Sequence, residues 1–190
     1  MTHDLNAQID EHVRAVEGLR RSVDVLNDVI HRVIKTIRGG GVVYVLGNGG
    51  SAADAQHIAA ELLGRFKLDR RALPAMALTV DTSTLTAIGN DLGGEEIFRR
   101  QVEGLVTRRD LVWALSVSGR SPNVLRALEA ARLKGAATVG FTSRQGSAMA
   151  ELCDVCLKAE ADASDRVQEV HELAYHLICE RVERAFAEEP

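Results

Sequence analysis

The chain has 190 residues, a net charge of −4 and a hydrophobic content of 46%. That apolar fraction excludes global disorder, and the mildly acidic balance gives no reason to expect nucleic acid or an anionic membrane as the main partner. No run approaches transmembrane length and the polar N-terminus lacks a signal-peptide core, so a cytoplasmic protein is expected, with residues 1–190 as one domain.

Residues 9–37 read as a long helix. Val16, Leu19, Val23, Leu26, Ile30, Val33 and Ile37 alternate spacings of three and four, and Arg38-Gly39-Gly40-Gly41 supplies the stop. Such a seam can cover the sheet of its own subunit or pair with a second copy. The second reading is favoured, because residues 39–190 already look like a complete α/β core; residues 1–38 are then an oligomerisation helix.

Strand and helix patterns alternate from there. Strands are predicted at 42–46, 75–80, 111–115, 137–141 and 154–157. Helices are predicted at 51–64, 82–89, 95–106, 122–134, 146–152 and 164–186. This alternation predicts an α/β three-layer sandwich with a central parallel sheet.

Two loops carry polar chemistry. The apolar run Val42–Leu46 empties into Gly47-Asn48-Gly49-Gly50-Ser51, and a helix follows at once. Free N–H groups and a helix N-terminus at such a turn form an anion site. Gly47-x-Gly49-x-x-Ala52 also fits a dinucleotide fingerprint, with Asp81 as a late ribose-binding acid, and a plain turn is a third reading. No Gly-Lys-Ser/Thr closes the loop, so it is not a Walker loop.

Ser116-Val117-Ser118-Gly119-Arg120-Ser121-Pro122-Asn123 likewise joins a strand to a helix. Ser121 fits an N-cap with Pro122 in the first helical position, which leaves Ser116 and Ser118 unexplained by capping. Carboxyl ends of parallel strands are where ligands bind in open sheets, so the two loops together point to a phosphorylated small molecule. Asn90-Asp91 reads equally as a turn or as a binder of sugar hydroxyls.

Two helices carry titratable faces. His57 and Glu61 stand one turn apart after the glycine loop, and Gln168, Glu172 and His176 are spaced by four on the last helix. Nitrogen and oxygen groups of this kind suit zinc, yet Gln168 and His176 lie ~12 Å apart along a straight helix. His171 reads as a structural histidine. Cys153-x-x-Cys156 lacks a second ligand pair at finger spacing and reads as buried thiols.

Gly-Asn-Gly-Gly-Ser, His57-x-x-x-Glu61, Gly89-Asn90-Asp91, Ser116-x-Ser118-Gly119-x-Ser121 and Asp165-Arg166-x-Gln168-Glu169-x-His171 together resemble the phosphoheptose isomerases, a family of sugar isomerase (SIS) domain proteins. The resemblance spans nearly the whole chain. It implies a flavodoxin-like sandwich assembled as a homotetramer, with active sites between subunits. It implies conversion of sedoheptulose 7-phosphate to D-glycero-D-manno-heptose 7-phosphate, the first step toward heptose donors.

By the same resemblance, Glu61 and His176 are the acid–base pair, and His57, Glu61, Gln168 and His176 hold one zinc ion per subunit. Asn48, Gly49, Gly50, Ser51, Ser116, Val117, Ser118 and Ser121 bind phosphate and sugar, with Glu61, Asn90, Asp91 and Gln168. The chain departs from common family patterns at Val117, Ala52 and Arg120, which bears on substrate preference more than on reaction type. Two alternatives remain: a catalytically inactive SIS-domain relative that associates with the replication initiator, and a sugar-phosphate sensor. Retention of Glu61 and His176 favours the enzyme.

Overall fold

Short runs of apolar residues form the five strands: β1 (Val43–Gly47), β2 (Ala75–Ala77), β3 (Leu111–Leu115), β4 (Ala137–Ser143) and β5 (Val155–Ala159). All pair in parallel, in the order β2-β1-β3-β4-β5. Each strand is followed by a helix that returns the chain to the opposite edge, as parallel pairing demands. The computed structural model describes residues 4–187.

Residues alternate between the two faces of the sheet. Val43, Val45, Leu111, Trp113 and Leu115 join one core. Tyr44, Leu46, Val112 and Ala114 join the other. The first core is covered by α1 (Leu5–Gly18), α2 (Val23–Arg38), α3 (Gly50–Leu63) and α8 (Ser164–Ala187). The second is covered by α4 (Thr82–Asp91), α5 (Ile97–Leu105), α6 (Pro122–Leu133) and α7 (Ser147–Leu152). The three layers are those the alternation predicts.

The N-terminal helix differs in one respect. Between α1 and α2, residues Leu19–Ser22 tighten into a 3-10 turn. Gly18 sits against Glu160 at the end of β5, where an added Cβ would lie 3.2 Å from the Glu160 Cβ, and Arg21 pairs with Glu160 beside it. The break therefore falls where the helix passes the edge strand. Of the seam, Leu19, Leu26, Val33 and Ile37 are buried in the chain's own first core, while Val23 stays half exposed. Most of the seam thus serves its own subunit.

Other elements lie within a few residues of the expected positions. The largest difference is β2, which stops at Ala77; α4 extends through Asn90 and Asp91. Cys153, Cys156 and Cys179 are free; a Cβ on Gly140 would meet the sulfurs of both Cys153 and Cys156, so this strand glycine makes room for the pair.

Candidate active site

The two polar loops meet at the carboxyl edge of β1 and β3. Asn48, Ser51, Leu115, Ser116, Val117, Ser118, Ser121, Ser164 and Gln168 line an open cleft of about 260 Å³. Gly47 is required at the first loop, because a Cβ there would lie 2.6 Å from the Ser51 carbonyl oxygen. Gly49 takes a φ of 55°, which glycine adopts without strain. The loops are stapled together: the side-chain amides of Asn48 and Asn123 exchange hydrogen bonds of 2.9 and 2.8 Å.

Ser51, Ser121 and Ser164 stand at the starts of α3, α6 and α8, so three helix N-termini contribute to one cleft. Neither α3 nor α6 is capped by the side chain of its N-cap residue. This leaves leading N–H groups of α3 for a ligand, whereas α6 opens on Pro122, which has no N–H, and its Val124 N–H is taken by the Asn123 side chain at 3.0 Å. Ser121 does hold the N-cap position, but its hydroxyl bonds that of Ser116 at 3.1 Å instead of capping. Lined by hydroxyls, amides and helix starts, without a lysine or arginine, the cleft fits a phosphate held by hydrogen bonds.

Gln168 lies over the first loop, where a Cβ on Gly50 would collide with its amide. Gly49 and Gly50, between Asn48 and Ser51 in the loop, are not themselves among the residues that line the cleft. Asn90 and Asp91 are not among its lining residues; they are exposed at the end of α4, where the Asn90 amide donates to Asp91 at 2.8 Å.

The titratable cluster sits further along α3 and α8. His57 Nε2 is 3.0 Å from Glu61 Oε1 and 3.4 Å from His176 Nε2. Tyr175 Oη is 3.0 Å from His57 Nδ1. Phe66 stacks on the His176 ring with centroids 5.5 Å apart. Phe66 is itself placed by buried Glu183, which accepts N–H bonds from Phe66, Lys67 and Leu68 at 2.8, 2.7 and 3.0 Å. Burial and the neighbouring His57 hold His176 below the usual imidazole range. It is therefore neutral at physiological pH, able to accept a proton or a metal ion.

One group of side chains fits a cation. Donor atoms of His57, Glu172 and His176 lie within 4.8 Å of one another, and two nitrogens with an oxygen form a set that zinc accepts. Nearby, Asp54 Oδ2 is buried with no hydrogen-bond partner. Burial first, then the negative charge of Glu172, pushes the Asp54 carboxyl up to about 6. A site with surplus acceptors and a strained carboxylate is one that a cation would relieve.

The structure thus brings His57, Glu61 and His176 together, and separately gathers Asn48, Ser51, Ser116, Val117, Ser118, Ser121 and Gln168. Sequence reasoning missed Tyr175, Asp54, Phe66 and the Asn48–Asn123 staple, and named Glu172 without giving it a role. Spacing could have found Glu172, one turn from both Gln168 and His176. The other contacts join segments far apart in the chain. His171 is buried, with Nε2 3.2 Å from the Thr142 carbonyl oxygen, and is structural as expected.

A parallel sheet in 2-1-3-4-5 order, with a hydroxyl- and amide-lined cleft at its carboxyl edge, defines a flavodoxin-like α/β protein with an anion-binding site. The family model described as the SIS domain matches residues 8–143. A phosphoheptose isomerase of Roseiflexus is 48% identical over 185 residues, covering 95% of this chain and 94% of its own. One from Bradyrhizobium (strain BTAi1) is 51% identical over 158 residues, covering 83% and 80%. Among solved structures, the phosphoheptose isomerase of Neisseria gonorrhoeae superposes with a TM-score of 0.88 at 36% identity, covering 95% of this chain and 97% of its own. The chain belongs to the phosphoheptose isomerase family of SIS-domain proteins. It is an isomerase.

Proposed function

We propose that the chain converts sedoheptulose 7-phosphate to D-glycero-D-manno-heptose 7-phosphate, with Glu61 as the base and His176 as the partner acid. The observation that carries this reading is the Glu61–His57–His176 contact chain, on the same two helices that border the serine-lined cleft. The cleft anchors the phosphate through Ser51, Ser116, Ser118, Ser121 and the loop amides. Anchoring the remote phosphate supplies binding energy that orients the reacting end.

The Glu61 carboxylate takes the proton from C1 of the ketose, and C1–C2 becomes an enediol. The same proton is returned to C2, giving the aldose. His176, neutral and half-buried, passes the hydroxyl proton from O1 to O2. Matching of a carboxylate and an imidazole to these two proton transfers is ordinary general acid–base chemistry. Asn90 and Asp91 are proposed to bind sugar hydroxyls. Within one chain they do not line the cleft, so this role requires a site completed by another subunit of a homotetramer. Leu5, Ile9 and Val13 of α1, together with Val23, expose apolar surface that suits such an assembly.

Zinc is the proposed resident ion, one per subunit, held by His57 and His176 with a carboxylate from Glu61, as the family resemblance implies. Glu172 is a further donor close to both histidines, and Gln168 joins only by swinging away from Gly50. When bound, the ion would stabilise negative charge on the enediol oxygens. Among the described residues no helix is long and apolar enough to cross a membrane, in keeping with a cytoplasmic enzyme.

The test is turnover of sedoheptulose 7-phosphate by the purified protein, after chelation and again with zinc restored. Conversion supports the reading, and zinc dependence supports the metal. Binding without conversion would replace it with a sensor, and neither would remove the substrate assignment.

A further inference from the structure

At the opposite edge of the sheet lies a larger cavity, of about 560 Å³. It is lined by the end of α2, the loop before β3 and the end of α6. Five cationic side chains contribute to it: Arg32, Lys35, Arg108, Arg109 and Arg132. Only two acids, Asp110 and Asp154, oppose them.

Both acids are already engaged. Asp110 accepts N–H bonds from Val42 and Thr107 at 2.8 and 2.6 Å, plus the Thr107 hydroxyl at 2.8 Å. Asp154 accepts the Thr138 N–H at 2.9 Å and pairs with Arg32 at 3.6 Å. Arg132 donates to the Glu151 carbonyl at 2.9 Å. Among the described residues, Lys35, Arg108 and Arg109 have no carboxylate partner.

Cations at helix C-termini often serve only to satisfy helix carbonyls and dipoles. Here the glycine turns already do that work. Gly39, Gly40 and Gly41 donate to the carbonyls of Lys35, Ile37 and Thr36, and Gly135 and Ala136 to those of Arg132 and Ala131. Arg108 and Arg109 stand on a loop, outside any helix. That loop is rigidly seated, because the Asp110 bonds fix one side and Gly41 packs on the Arg109 carbonyl, where a Cβ could not fit. Arg32 is matched by Asp28 and Asp154, but among the described residues no carboxylate pairs with Lys35, Arg108 or Arg109, so an excess of positive charge is held around a preformed cavity.

We propose that this cavity binds a small, multiply charged anion of the diphosphate class, at a site separate from the catalytic one. A guanidinium pair on a fixed loop suits bidentate contact with phosphate oxygens. The volume accommodates a diphosphate with an attached group. The cations converge on one cavity instead of spreading along a stripe, and the chain is acidic overall, which suits a small ligand and not a polymer.

The experiment is titration calorimetry of the full-length protein with inorganic pyrophosphate, which could also enter the serine cleft. Two variants separate the sites: Ser118→Asp, whose carboxylate repels anions from the cleft, and Arg108→Glu/Arg109→Glu. The expected result is saturable binding that persists in Ser118→Asp, falls at least about tenfold in the double variant and weakens as salt is raised. Arg108→Gln/Arg109→Gln removes the charge without reversing it and should show a smaller loss in the same direction. Both arginines are exposed, and thermal melts confirm folding of each variant. No saturable binding below about 1 mM, a weak affinity of about 4 kcal/mol, overturns the proposal. So does binding that is lost in Ser118→Asp and kept in either arginine variant.

Discussion

The Tyr175 hydroxyl lies 3.0 Å from His57 Nδ1, while His57 Nε2 faces Glu61 and His176. Tyr175 is 1% exposed, so packing fixes its ring and keeps the hydroxyl oxygen beside His57. This contact orients the imidazole and assigns its two nitrogens different work, as partners behind metal-binding histidines commonly do. Tyr175→Phe is expected to keep the fold and lower zinc affinity by roughly 10- to 100-fold. Metal titration followed by equilibrium dialysis measures it. A merely structural tyrosine would leave the affinity unchanged.

Glu61→Gln keeps the shape of the side chain and removes its basicity. Turnover is expected to fall by roughly a hundredfold to ten-thousandfold, the usual contribution of a positioned base. The melting temperature should scarcely move. Turnover near that of the parent chain would withdraw the assignment of Glu61.

Glu183 ties the segment after α3 to the last helix. Burial pushes its carboxyl up, but N–H bonds from Lys67, Phe66 and Leu68 and the charge of Arg70 outweigh that, holding it below the ordinary 4.5. A depressed folded value contributes stability above the ordinary carboxylate range that is lost as pH falls through it. Glu183→Gln is expected to cost about 2 kcal/mol near neutrality, and less in acid. Because Phe66 stacks on His176, turnover should drop as well. Denaturant melts at two pH values, paired with rate measurements, check both effects.

Asp54 has the opposite sign. Its folded value of about 6 lies above the ordinary 3.8, so the folded state holds the proton more tightly and stability falls as pH rises between the two. In chelated protein, Asp54→Asn is expected to gain about 1 kcal/mol above that range, after allowance for its partial exposure to solvent. Below it the gain should vanish. Thermal melts in acid and in mild base decide the matter; a gain that is equal at both would show that charge is not the cause.

Much of the fold was legible because burial imposes a period. Val43 and Val45 face one core while Tyr44 and Leu46 face the other, and that alternation depends only on backbone geometry. The break at Leu19–Ser22 was not legible, since it arises from the approach of Glu160, which lies far along the chain. The heptad seam could not name its cover for a related reason. A stripe of apolar residues states that it will be covered, not by what, and α8 and β5 of the same chain lie against α2.

By itself the sequence determined the parallel sandwich, the two serine- and glycine-bearing loops and the pairing of His57 with Glu61, because each follows from local spacing. Only the tertiary structure decided that Tyr175 orients His57, that Glu172 stands beside both histidines, and that Gln168 faces Gly50. It also decided that five cations share one cavity at the far edge of the sheet. These relationships join elements distant in sequence, and their geometry is set by how helices pack on the sheet, which no local spacing encodes.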